Sequence, residues 1–182
     1  MEASSRKPNR ISDYDYSLNG AYFVTVCTQD RKPILCDIVG DGSPVPKICG
    51  KIAEETIQRI PEKYPHVSVD KYVIMPDHIH ILLRMEHTGA AFCLSNEGTG
   101  DPSPTIGNVV GWYKYQATKQ INLICNTPGE RVFQRSYYDH VIRNQQDYNE
   151  IWEYIDNNPR KWAMTKQGKE AGMAGGKCVQ GA

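Results

Sequence analysis

The chain has 182 residues, and 21 Lys plus Arg balance 21 Asp plus Glu, so its formal net charge is zero. That length favours one domain with short tails, and zero net charge neither announces nor excludes a nucleic-acid partner, because clustering of charge is what matters. The six cysteines form no C-x-x-C pair, the start is polar, and no apolar run approaches bilayer length, which argues against a disulfide framework, a structural zinc site, a secretory leader and a membrane span, and for a cytoplasmic protein.

Residues 1–18 read as an extended polar arm. "AYFVTVCTQ" (21–29) alternates apolar residues with threonines and is predicted as a strand. The turn-rich "DRKPILCDIVGDGSPVP" has room for one short strand in "ILCDIV". Ile48, Ile52, Ile57 and Ile60 recur near helical spacing, and Pro61 and Pro65 close that helix. "HVSVDKYVIM" (66–75) and "HIHILLRM" (78–85) are strands joined by the turn residues Pro76 and Asp77. Residues 86–105 are loop by composition. A second helix spans 106–124, with Ile106, Val109, Val110, Tyr113, Ala117 and Ile121 as its apolar stripe. After the breaker "CNTPGE", "RVFQRSYYDHVI" begins as a strand. The helix 144–162 should end near Asn158, because proline disfavours helical geometry at the residue before it. Residues 166–182 are glycine-rich, lack an apolar pattern and read as a disordered tail. This order fits an α+β sandwich of the ferredoxin-like, RRM-like type: an antiparallel sheet with helices packed on one face.

The stretch "MPDHIHILL" (75–83) poses the functional question. Successive strand side chains point to opposite faces, so Ile79, Ile81 and Leu83 make an aliphatic face while His78 and His80 share the other. Paired imidazoles are natural ligands for a divalent metal, with a carboxylate, amide or water completing the shell. The alternative is two surface histidines at a strand edge. In the last helix Tyr148, Ile151, Trp152 and Ile155 form a stripe, and Tyr154 lies to one side of it with Asn158 one turn on. The helix is therefore expected to pack by its stripe and hold a phenol and an amide out from one flank. A tyrosine can be a covalent nucleophile, and an amide oxygen can ligate a hard metal. An ordinary flanking aromatic is the competing reading of Tyr154.

The strand motif "HIH" followed by a helix carrying "YIDNN" resembles the single-tyrosine HUH transposases and nucleases, in which U is a bulky hydrophobic residue. The ordered segments "DYDYSLNGAYFVTVCTQDRK", "YVIMPDHIHILL", "GNVVGWYKYQATKQIN", "FQRSYYDHVIRNQQDY" and "YIDNNPRKW" together resemble one bacterial branch of that group, the REP-associated tyrosine transposases. The match runs in order from about residue 10 to about residue 162.

The resemblance implies a ferredoxin-like catalytic domain over 19–165. It also implies a divalent metal, Mg²⁺ or Mn²⁺, on His78 and His80, with Asn158 at the position where relatives place an amide ligand, and Tyr154 as nucleophile. Tyr154 is preferred to Tyr137, Tyr138 and Tyr148 because it alone has an amide four residues later followed by proline. The implied chemistry is metal-dependent nicking and rejoining of single-stranded DNA through a 5′-phosphotyrosine. The substrates implied are DNA hairpins with a single-stranded guide beside them.

Candidate DNA contacts are Arg10 and Tyr14 on the arm, Arg31 and Lys32 in the turn after the first strand, Lys114 and Lys119 on the second long helix, and Arg135, His140 and Arg143 before the last helix. A solvated-surface role stands beside each of these. His140 has a further alternative as a group near the active site. Arg160 and Lys161 are read as complementing the helix dipole. Monomer and homodimer are both open, as is a tyrosine helix serving the partner subunit's site. The competing functions are a domesticated hairpin-binding protein without strand transfer and a metal-free, RRM-like RNA binder, whose paired aromatics on the central strands are replaced here by histidines.

Overall fold

The computed structural model describes residues 20–86 and 105–174, with side chains as far as residue 165. Arg10 and Tyr14, residues 87–104 and residues 175–182 lie outside the described residues. The elements are β1 (Gly20–Cys27), β2 (Cys36–Ile38), β3 (Pro44–Pro46), α1 (Ile48–Gln58), α2 (Ile60–Lys63), β4 (Val67–Ile74), β5 (His78–Met85), α3 (Ile106–Cys125), β6 (Tyr138–Ile142) and α4 (Gln145–Ala174).

Strands β4, β5, β1 and β6 form one antiparallel sheet in that order, the ferredoxin-like arrangement. Period-two alternation sorts its residues. Tyr22, Val24, Val26, Ile79, Ile81, Leu83 and Val141 join Ile52, Ile57, Val109, Tyr113 and Ala117 from α1 and α3 in the core. Thr105 caps α3, accepting from the Asn108 amide at 3.3 Å, and Asn126 ends it in the left-handed conformation. Fully burying one of these aliphatic side chains contributes about 2 kcal/mol, so this face carries most of the stability.

Two helices lie where the sequence places them, on the aliphatic face. The last helix, α4, lies on the opposite face, over the histidines. A β-bulge makes that possible. Val69 pairs with Leu83 and Lys71 with Leu82, leaving Asp70 as an inserted residue. Asp70 and Lys71 therefore both face α4, which consecutive strand residues ordinarily cannot do. Asp70 accepts from Arg84 at 2.7 Å and from the Tyr148 hydroxyl at 2.9 Å. Lys71 pairs with Asp156 at 2.7 Å and lies 4.0 Å from the centre of the Trp152 ring.

Helix α4 does not stop at Asn158. It runs through Pro159 to Ala174, nine residues into the segment read as tail. Proline inside a helix costs ~3 kcal/mol, so packing must offset it. The turn of the β2–β3 hairpin presses on the helix there: a Cβ on Gly42, whose φ is +90°, would sit 3.0 Å from the Arg160 Cα. The inward side of α4 also differs from the predicted stripe. Ile155, Asn158 and Pro159 are buried, whereas Trp152 is exposed.

One tight contact fixes α1. A Cβ on Gly50 would lie 2.1 Å from the Leu35 carbonyl oxygen. Gly50→Ala is expected to lower stability by about 3 kcal/mol through forced backbone displacement, read as a urea-midpoint shift. Gly111→Ala on α3 meets open space and should be neutral or stabilising by up to ~1 kcal/mol. Equal midpoints for the two variants would show that Gly50 is not a contact point.

Candidate active site

Three strands present a row of side chains on the α4 face. Thr25 on β1 stands between His80 on β5 and Tyr138 on β6. Cys27 is opposite His78, and Phe23 lies between Leu82 and His140.

Each histidine is tethered through Nδ1. His78 Nδ1 is 2.6 Å from Asp77 Oδ1, and because a carboxylate only accepts, the ring donates there and keeps its lone pair on Nε2. His80 Nδ1 is 2.9 Å from Thr25 Oγ1. With Nδ1–H donating to that hydroxyl, the His80 Nε2 lone pair is buried and has no hydrogen-bond partner among the described residues. The rings sit edge to face with centroids 4.7 Å apart. Orientation of an imidazole by a hydrogen bond on its far nitrogen is the usual support for a metal-ligating histidine.

Burial disfavours the charged form of both rings. Desolvation pulls His78 below the ordinary imidazole range, against the Asp77 carboxylate. Desolvation, then the His78 and Arg31 charges, pull His80 down to about 3. An unfolded imidazole binds its proton near pH ~6.5, so between there and about 3 the unfolded chain holds a proton that native His80 refuses. Stability should therefore fall as pH drops through that window, by up to ~1.4 kcal/mol per pH unit from this ring. Urea unfolding in EDTA at stepped pH measures the slope. His80→Gln should flatten it, and an unchanged slope would show that His80 is not held neutral by folding.

Tyr154 covers this pair. Its ring meets His80 edge-on at 5.3 Å and Phe23 at 5.8 Å, and Phe23 in turn stacks on His80 at 5.0 Å. Tyr154 is still 39% exposed. Trp162 lies 5.7 Å from His78. Residues 154, 158 and 162 follow one another up a helix face, ~6 Å apart. With Tyr154 on His80 and Trp162 on His78, Asn158 is opposite the pair, and it is buried. The amide expected on an outer flank thus faces inward.

Among the described residues no group of three or more His, Cys, Asp or Glu side chains is placed to hold a metal ion. A cation on the two histidines would need an oxygen of another kind, and the buried Asn158 amide is the candidate on α4.

The other candidates scatter. Arg31 is at the site, 3.7 Å from Asp77, and both Asp30 and Arg31 have positive φ, a costly conformation for such residues. The Lys114 ammonium donates to the Gln134 and Arg135 carbonyls, which uses two of its three N–H groups. Lys119 is on α3, across the sheet from the histidines. His140 shares the site face but pairs with Asp147 at 2.9 Å. The Arg143 backbone amide donates to Asp147, and Arg143 lines a cleft with Arg84 and Tyr148. The side chain of Arg135 is exposed. Lys161 lies 5.7 Å from the centre of the Tyr154 ring.

Sequence reasoning missed Thr25, Phe23 and Trp162. Only Asp77, adjacent to His78, carried a local signal. No helix of the described residues is long and apolar enough to cross a membrane.

No family model matches the chain. It is 30% identical over 167 residues to an uncharacterized protein of Haemophilus influenzae, spanning 86% of this chain and 89% of that one. It is 26% identical over 163 residues to a second Haemophilus influenzae protein, described as a candidate REP-associated tyrosine transposase, spanning 83% and 77%. A solved structure of a REP-associated tyrosine transposase bound to a REP hairpin shares the fold, with TM-score 0.52 and 20% identity over 83% of this chain and 74% of that one.

Proposed function

This chain belongs to the REP-associated tyrosine transposases, and from that premise we propose that it is a divalent-metal-dependent endonuclease and strand transferase acting on single-stranded DNA at hairpins. The observation that carries the proposal is the Nε2 of His80, buried beneath the Tyr154 ring and without a partner among the described residues. Leaving such a polar atom unpaired costs about 1–3 kcal/mol, a cost that a bound cation removes.

His78, His80 and Asn158 are the residues that would hold Mg²⁺ or Mn²⁺, which when bound supplies positive charge to a scissile phosphate as negative charge develops there. Asp77 and Thr25 keep the Nδ1 protons in place, so both Nε2 lone pairs face the site. Tyr154 is the nucleophile. Its phenol oxygen forms a bond to phosphorus, the bond from phosphorus to the 3′-oxygen breaks, the phenolic proton passes to solvent, and the 3′-oxygen takes up a proton. The products are a 5′-phosphotyrosine and a free 3′-hydroxyl. One phosphoester replaces another, so a second 3′-hydroxyl can reverse the step and join strands without ATP.

Incubation with a labelled single-stranded hairpin library in Mg²⁺, in Mn²⁺ and in EDTA, followed by denaturing electrophoresis, tests this. A metal-dependent protein–DNA adduct is expected. Specific hairpin binding with no adduct in any metal would favour a domesticated binder.

A further inference from the structure

Tyr138 is an exposed aromatic side chain on the site face that the chemistry does not use. It lies on β6, directly opposite Thr25 of β1, which itself hydrogen-bonds His80. The three residues point to the same face, so Tyr138 stands two strand spacings, ~10 Å, from the metal-binding imidazole. Core packing does not account for it. Val141 carries β6 into the aliphatic core, while Tyr138 is 56% exposed. Helix α4 leaves this corner open. Its first turn reaches β6 through Asp147 and His140, but by Tyr154 it contacts β1 and β5, and at Asp156 it contacts β4. The face beside the site is thus uncovered at β6 among the described residues, and the exposed Arg135 precedes Tyr138 by three residues.

We propose that Tyr138 is a stacking platform for one unpaired DNA base close to the phosphate attacked by Tyr154. This subsite rests on the reading of the chain as a single-strand DNA enzyme. An exposed ring on an open sheet face, continuous with a phosphate-directed site, suits an unpaired base because every base has a π-face. Arg135 offers charge to the adjoining backbone. The ring ranks bases weakly, so it fixes the position of the strand rather than reading its sequence.

Fluorescence anisotropy with a short oligothymidylate and with abasic backbone of equal length, both in EDTA, tests the subsite. The wild-type chain is expected to prefer the oligothymidylate. Tyr138→Ala should weaken that binding about ten-fold and leave abasic binding unchanged, while Tyr138→Phe retains both. Thermal melting confirms that the variants fold. If Tyr138→Ala binds the oligothymidylate as tightly as wild type, or weakens both ligands equally, the stacking role is overturned and the single-strand reading stands. If the wild-type chain binds neither ligand, both are overturned.

Discussion

Tyr154→Phe is expected to abolish the covalent protein–DNA adduct, with a loss on the order of 10³-fold or more in strand cleavage, because removal of a nucleophile takes away the bond-forming atom rather than an assisting contact. The substitution spares the ring, so the edge contacts to His80 at 5.3 Å and Phe23 at 5.8 Å remain possible. Since the side chain is 39% exposed, the change in stability should stay within ~0.5 kcal/mol. A folded, DNA-binding, adduct-free variant is therefore the expected phenotype. An adduct that survives would move the nucleophile elsewhere. Tyr148 is a poor substitute: it donates to Asp70, and burial followed by that carboxylate raises its pKa.

The second large effect is expected at the metal. His80→Ala removes a proposed ligand, and Mn²⁺ affinity by titration calorimetry should fall by about 100-fold or more, with cleavage lost in parallel. Thr25→Val leaves both histidines in place but removes the group that orients His80, and it should cost about ten-fold. The two variants separate ligation from orientation. Equal Mn²⁺ affinities for wild type and His80→Ala would remove the histidine pair from any metal role. The unfolding slope in EDTA still reports burial of His80 in that case, since it does not depend on a cation.

Much of this was readable in the sequence for a simple reason. Alternation in "HIHILLRM" depends only on neighbours two residues apart, so both the aliphatic face and the histidine pair follow from local geometry. The spacing of Tyr154 and Asn158 is likewise a property of one helix. Contacts made by distant segments were not readable. Thr25 meets His80 across 55 residues of chain, and nothing near Thr25 announces it. Pro159 is a helix breaker by local rules, yet α4 continues, because the hairpin turn at Gly42 packs against Arg160. The same helix turned Asn158 inward because its anchors are Asp70 and Lys71 on β4, which no periodicity within α4 encodes. Nor did anything local announce that the Lys114 ammonium donates to the Gln134 and Arg135 carbonyls.

Asp70 can be regarded as an insertion that the sheet does not require. Deleting it would leave Val69 and Tyr72 on the aliphatic side and Lys71 on the helix side, because the strand would simply return to regular alternation opposite Leu83 and Leu82. What would disappear is the acceptor shared by Arg84 and Tyr148. A homologue one residue shorter at this point would therefore keep the ferredoxin-like sheet and carry a differently moored tyrosine helix. A single alignment gap in β4 is in that sense a marker for divergence in catalysis rather than in fold.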